Sequence, residues 1–128
     1  STTASLIDAL LVTGFPYSVH ESASDLVDLF GVFLMRAQAV RRLGSAALDL
    51  CYVAAGRMDA FWEQHLMPWD MAAGALILEE AGGRVTGTDG RPFDVRRGQL
   101  MASNGHLHDA MLETVAGWRA GRIRRGGS

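Results

Sequence analysis

The chain has 128 residues, a formal charge of −2 and 48% hydrophobic residues, enough for one domain with its own core. A single cysteine excludes an internal disulfide and multi-cysteine zinc motifs, so a reducing, cytoplasmic setting is expected. All twelve basic residues are Arg, which rules out lysine chemistry within the chain, and no apolar run reaches the ~18–20 residues of a membrane span.

Leu6 to Thr13 is an aliphatic run of strand length, bounded by Gly14 and Pro16. Residues 14–22 read as a loop. Ser22 or Ser24 is the expected cap of a helix running to about Ala39, with Asp25 and Asp28 in its first turns and apolar residues at helical spacing. Val40 to Leu43 is a short expected strand. Gly44 then opens a helix over SAALDLCYVAAG, with Ser45 near its start and Gly56 as its stop. Met58 to Gln64 reads as a strand. Pro68 to Gly83 is a third helix, built almost wholly of small and apolar residues, with Gly82-Gly83 as its end. Arg84 to Thr88 is a strand and Thr88 to Pro92 a turn, because Asp-Gly supplies its dihedrals. Gln99 to Ser103 is a strand, and a last helix runs from Asn104 or Gly105 to about Gly117. Strands alternating with helices predict an α/β fold, with apolar helices on a sheet and the small residues of MAAGA permitting close packing. Residues 1–117 form the expected lobe, and residues 118–128 a disordered, Arg-rich tail. The chain starts without Met, which reads as a processed, trimmed or partial chain.

Several residues carry two readings. Asp70 in the first turn of the third helix stabilises the helix dipole, and a carboxylate there also suits Mg²⁺, although one Asp is not a six-oxygen site. Glu63 is either a solvent-facing alternation point or an acceptor for substrate hydroxyls. Gly44, Ser45, Ala46 and Ala47 form either a plain cap or a helix entrance whose free N–H groups receive a polar ligand. His65, His106 and His108 offer a metal reading, with His106 and His108 beside a helix start, but no third ligand is evident in the sequence. Cys51 reads as a core residue, and Glu79-Glu80 as solvated or paired with an Arg.

Order and spacing join these signals. VRRLGSAALDLCYVAAGRMDAFWE, then PWDMAAGALILEEAGGRV, then GQLMASN, resemble the C-terminal half of the inositol monophosphatase family over about residues 6–116. The resemblance implies a layered α/β/α lobe with a mixed sheet. It also implies a Mg²⁺-dependent phosphatase using two or three ions, with a metal-activated water attacking phosphorus in line. It places Asp70 as a metal ligand and Glu63 and the Gly44, Ser45, Ala46, Ala47 turn against substrate hydroxyls. Arg41 falls on a position expected to be structural or near a dimer contact. The family's upstream G-E-E glutamate and D-P-[IL]-D-G-T motif do not occur in this chain.

The expectation is therefore half of an enzyme, which needs an N-terminal half to hydrolyse inositol monophosphate or a related ester and which works as a homodimer. The competing expectation is a non-catalytic dimerisation or binding module, contacting protein or RNA through Arg119, Arg122, Arg124 and Arg125. The body before that tail carries fourteen acids against eight Arg, a poor surface for nucleic acid.

Overall fold

The computed structural model describes residues 1–14, 19–42, 44–64 and 68–123, with the backbone alone at 19–26, 68 and 70. Among these residues five strands, β1 (Leu10–Thr13), β2 (Ala39–Arg41), β3 (Ala60–Glu63), β4 (Arg84–Thr86) and β5 (Leu100–Ser103), form one sheet in the order β2-β1-β3-β5-β4. β2, β1 and β3 run parallel, while β5 is antiparallel to both β3 and β4, so the sheet is mixed.

Among the described residues four helices cover it: α1 (Val19–Leu34), α2 (Ala46–Ala54), α3 (Pro68–Glu80) and α4 (His108–Arg119). One core joins Leu29, Val32 and Phe33 of α1 and Met111 and Val115 of α4 to Leu11, Trp62 and Met101 of the sheet. The other joins Leu50 and Val53 of α2 and Met71 and Leu78 of α3 to Val12, Phe61, Leu100 and Ala102. Neighbouring strand residues thus serve opposite cores, which is why these strands are apolar on both faces. The architecture is the expected α/β/α sandwich. Each fully buried large side chain, such as Phe33 or Phe61, contributes roughly 1.5–3 kcal/mol of transfer free energy.

Local boundaries differ from the sequence reading in physically instructive ways. Leu6–Asp8 is a single 3-10 turn, so the first strand is only its second half. α1 begins at Val19, which puts Ser22 and Ser24 inside the helix rather than at its cap. It ends at Leu34 instead of Ala39, because Ala39 enters the sheet beside Leu10. Tertiary pairing overrode the helical spacing there. α4 runs to Arg119, two residues past the expected end. Beyond Gly117, Trp118 and Ile123 pack on the first core, and the Trp118 indole donates to Asp28 Oδ2 at 2.7 Å. Cys51 is half-buried rather than a full core residue, and Glu79 and Glu80 are exposed. The expected loop at 15–18, Leu43, His65 and residues 124–128 lie outside the described residues.

α2 and α3 pack closely. A methyl group on Gly74 would stand 2.6 Å from Leu50 Cδ1 and 2.9 Å from its Cβ, so only glycine allows this approach. α3 stops at Gly82, whose φ of 89° favours glycine. The N–H of Gly83 then bonds back to the Leu78 carbonyl at 2.9 Å.

Candidate functional site

The three parallel strands end on one edge, and each leads into a helix. α1, following β1, lies on one face of the sheet, while α3, following the adjacent β3, lies on the other. Adjacent parallel strands whose connections leave to opposite faces open a crevice at their carboxyl ends, the usual ligand position in such sheets. Gly14 and Glu63 flank that crevice, one residue past β1 and at the last residue of β3.

Their geometry is specific. A Cβ on Gly14 would lie 2.2 Å from Glu63 Oε1, so the carboxylate occupies the space a side chain would need. Glu63 is only 8% exposed, which corrects the solvent-facing alternative. It shares its face of β3 with Phe61, toward α2 and α3. Thr13 fastens the two strand ends together, its hydroxyl donating to the Trp62 carbonyl at 2.6 Å.

The same edge receives the starts of α2 and α3. Gly44, with φ of 93°, turns the chain into Ser45, the N-cap of α2, whose Oγ accepts from the Leu48 N–H at 3.3 Å. That cap satisfies one of the helix's unpaired donors and leaves the first N–H groups, at Ala46 and Ala47, at the strand edge. Asp70 lies in the first turn of α3, seven residues after the end of β3; its side chain lies outside the described residues. Arg41 closes the edge strand β2 and is exposed.

One acid here was missed by sequence reasoning. Asp49, in the first turn of α2, is fully buried, and neither carboxylate oxygen has a hydrogen-bond partner among the described residues. Burial pushes its carboxyl up to about 7. Only its place amid AALDL, an acid inside an apolar helix, signalled this.

The histidine expectation resolves structurally. His108 is buried, with Nδ1 2.8 Å from Ser103 Oγ and Nε2 2.8 Å from Thr86 Oγ1. The Thr86 hydroxyl donates to the Gly87 carbonyl, and Ser103 Oγ accepts from the Gly105 N–H. One assignment satisfies every group: Ser103 donates to Nδ1, and Nε2–H donates to Thr86. Both ring nitrogens are thereby engaged away from the crevice. His106 is exposed.

Magnesium needs about six oxygen ligands. Among the described residues no group of three or more His, Cys, Asp or Glu side chains is placed to hold a metal ion. The described residues alone therefore do not fit a Mg²⁺ site. A cleft of about 200 Å³ does exist, lined by Ala54, Gly82, Gly83, Asn104 and His106, but it lies at the opposite ends of α2 and α3. It is smaller than the roughly 300–1,000 Å³ of most small-molecule sites.

Comparison with known proteins gives this geometry a context. The chain matches the inositol monophosphatase family over residues 1–118. It is 50% identical over 108 residues to the chloroplastic phosphatase IMPL1 of Arabidopsis thaliana, covering 84% of this chain and 29% of that protein. It is 43% identical over 113 residues to the Nus factor SuhB of Pseudomonas aeruginosa, covering 87% of this chain and 42% of that one. The solved inositol monophosphatase of Anabaena superposes with a TM-score of 0.87 at 44% identity, covering 91% of this chain and 47% of the other. The chain thus spans less than half the length of these relatives. No described helix is long and apolar enough to cross a membrane. Fold, matched span and identity agree: the chain belongs to the inositol monophosphatase family.

Proposed function

We propose that this chain is the C-terminal lobe of a Mg²⁺-dependent phosphomonoesterase, active only with an N-terminal half that carries most of the metal ligands. The observation that carries the reading is the Glu63 carboxylate seated against Gly14 in the switch-point crevice. Family membership and the partial span of the relatives support it.

In this reading the substrate is inositol monophosphate or a related small phosphate ester. Glu63, held between strand ends, accepts hydrogen bonds from substrate hydroxyls and orients the alcohol. Gly44, Ser45, Ala46 and Ala47 line the hydroxyl side, where the helix N–H groups donate. Asp70 is the one metal ligand this chain offers, and the remaining ligands come from the complementary half. A fixed acceptor and fixed donors position the ester, which is where such catalysis gains most. The completed protein acts in the cytoplasm as a homodimer.

The purified 128-residue chain should release no phosphate from inositol 1-phosphate with Mg²⁺, whereas the chain supplied with the complementary half should. Robust turnover by the chain alone would overturn the half-enzyme reading. In the completed protein, Asp70→Asn should raise the Mg²⁺ requirement and lower turnover; unchanged values would remove Asp70 from the site.

A second reading, a non-catalytic binding module, is favoured by one observation: a relative 43% identical is a Nus factor. Binding of RNA through the basic terminus should fall steeply with salt. Because Trp118 and Ile123 pack on the core, the informative truncation removes residues 124–128. Unchanged binding after that truncation would assign the tail no role.

A further inference from the structure

Asp49 is the charged residue of α2, and it lies on the helix's inward stripe with Ala46, Leu50 and Val53. It is 0% exposed, and neither carboxylate oxygen has a hydrogen-bond partner among the described residues. Among the described side chains, the faces packed on α2 bring it no cation. α3, β1 and β5 turn apolar residues such as Met71, Val12 and Leu100 toward it. β3 brings Phe61 and a second carboxylate, Glu63. On α2 itself the other titratable groups, Cys51 and Tyr52, lie further from the helix start. Burial therefore pushes the Asp49 carboxyl up without a countering charge. A buried acid without a partner is costly, and beside a ligand crevice such a group serves function better than packing.

Its place in the helix says which function. Ala46 stands three residues earlier on the same stripe, about 5 Å along the axis. A helical side chain leans toward its helix's N-terminus, so the Asp49 carboxyl lies toward the entrance formed by Gly44, Ser45, Ala46 and Ala47. Ser45 Oγ accepts from the Leu48 N–H at 3.3 Å, which leaves the Ala46 and Ala47 N–H groups unpaired within the helix. Such a helix end carries about half a positive charge. A neutral Asp49 leaves that charge to a ligand. An ionised Asp49 sets a full negative charge behind it, in a layer closed to water that screens little.

We propose that Asp49 is a proton-controlled positioning residue: in its neutral form it lets the Ala46 and Ala47 N–H groups receive an anionic phosphate ester, and in its ionised form it opposes that anion from behind them. Asp49 does not touch the ligand and acts through the helix end. The inference rests on the phosphatase reading for the identity of the ligand and adds to it a control by pH. Binding and protonation are then reciprocal. A bound anion holds the proton on Asp49, and loss of the proton to solvent loosens the anion. An acid in an exposed first turn would favour the helix dipole, whereas here its charge would cancel that dipole before the ligand arrives.

The test uses the full chain, with sulfate as the probe because it stays a dianion between pH 6 and 8. Amide NMR follows Ala46 and Ala47 as sulfate is added. Sulfate should bind about tenfold more weakly at pH 8 than at pH 6, because the neutral fraction falls by that factor across a midpoint of about 7. Asp49→Asn should bind it equally at both pH values, with the strength of the parent chain at pH 6. Asp49→Leu, which has no amide to pair, should do the same. An affinity of the parent chain that does not change with pH would overturn the proposal. So would a pH dependence that survives in both variants, or Ala46 and Ala47 amides that sulfate does not move at pH 6. The reciprocal measurement needs no variant: carbon NMR of the Asp49 carboxyl should show its midpoint rising in saturating sulfate. An unmoved midpoint would overturn the coupling. No readout here depends on metal or turnover, so coupling without phosphate release by the completed protein would retire the phosphatase reading alone.

Discussion

α3 and α4 cover opposite faces of the same sheet and differ in what they turn outward. α4 buries His108, Met111, Thr114 and Val115 and exposes Asp109, Glu113, Ala116 and Arg119. α3 buries a similar stripe but exposes Trp69, Leu76 and Ile77. The inner faces look alike because one sheet demands the same apolar lining of both. The outer faces differ in chemistry, polar and charged on α4 and apolar on α3.

The contrast continues inside. His108, at the start of α4, sits in a closed chain of hydrogen bonds, and its neutral form is the one those bonds require. Burial, reinforced by the Arg84 charge, pushes its pKa down to about 4. Asp49, on the α2–α3 side, is as buried but has no partner among the described residues, and burial pushes its carboxyl up to about 7. The sealed layer has satisfied its titratable group, and the open layer has not.

Acid titration sharpens this difference most. His108 has a lower pKa folded than its ordinary 6.5, so the unfolded chain takes up the proton first. Stability from this group is full above pH 6.5 and falls toward pH 4, by roughly 3 kcal/mol at about 1.4 kcal/mol per pKa unit. Asp49 has a higher pKa folded than its ordinary 3.8, so its cost is absent below that value and complete above about 7. Between pH 6.5 and 4 the two oppose, and urea denaturation of the parent chain should vary by less than about 1 kcal/mol from these groups. In Asp49→Asn the histidine acts alone, and stability should drop by roughly 3 kcal/mol over that range. A flat profile in the variant would break the assignment of the sealed network.

At pH 8 the same substitution should stabilise the chain. Removing a buried, unpaired charge recovers roughly 4 kcal/mol, and the amide that replaces it still lacks partners, at about 1–3 kcal/mol. A net gain of about 2 kcal/mol is expected, measured as a rise in the denaturation midpoint at constant slope. A loss would mean that the Asp49 carboxylate is served by a donor in the folded chain.

Much of this was legible from residue order. The α/β layering, the short helix with Ser45 at its start and the close packing at MAAGA follow from patterning and turn chemistry, whereas patterning left Glu63 open between a solvent-facing point and a hydroxyl acceptor. Three things did not. The helix-to-strand switch at Ala39 depends on pairing with Leu10, a contact that no local spacing encodes. The seating of Glu63 against Gly14 joins residues 49 positions apart, and the glycine alone gives no hint of its neighbour. Thr86, Ser103 and His108 come from β4, β5 and α4, so their network exists only once those strands pair. The outward stripe of α3 was visible as a helix apolar all round, but which side faces out needed the sheet.

The same substitution in the two layers separates them further. Gly74→Ala places a methyl against the base of Leu50, with Cβ at 2.9 Å, so α2 and α3 must part. Overpacking of this kind costs about 1–3 kcal/mol, more than the roughly 1 kcal/mol gained in helix propensity. Gly117→Ala on α4 meets chiefly the flexible Ile123 side chain, at 2.6 Å from Cδ1. That end can rotate away, so propensity should offset the contact and leave stability within about 0.5 kcal/mol. Equal costs at both sites would mean that the α2–α3 contact is no tighter than the α4 surface.

The smallest effect belongs to the wet face of α4. Arg84 Nη1 and Asp109 Oδ1 lie 2.9 Å apart, with side chains 48% and 84% exposed. Water and salt screen such a pair, and two mobile side chains lose entropy in holding it. Asp109 also sits in the first turn of α4, where a carboxylate favours the helix dipole. Asp109→Ala should therefore cost about 0.5 kcal/mol at low salt and less at 1 M salt. A larger, salt-insensitive loss would show that the pair is shielded from water, which requires a covering layer over α4. That result would erase the contrast with α3, because α4 would then have no wet outer face.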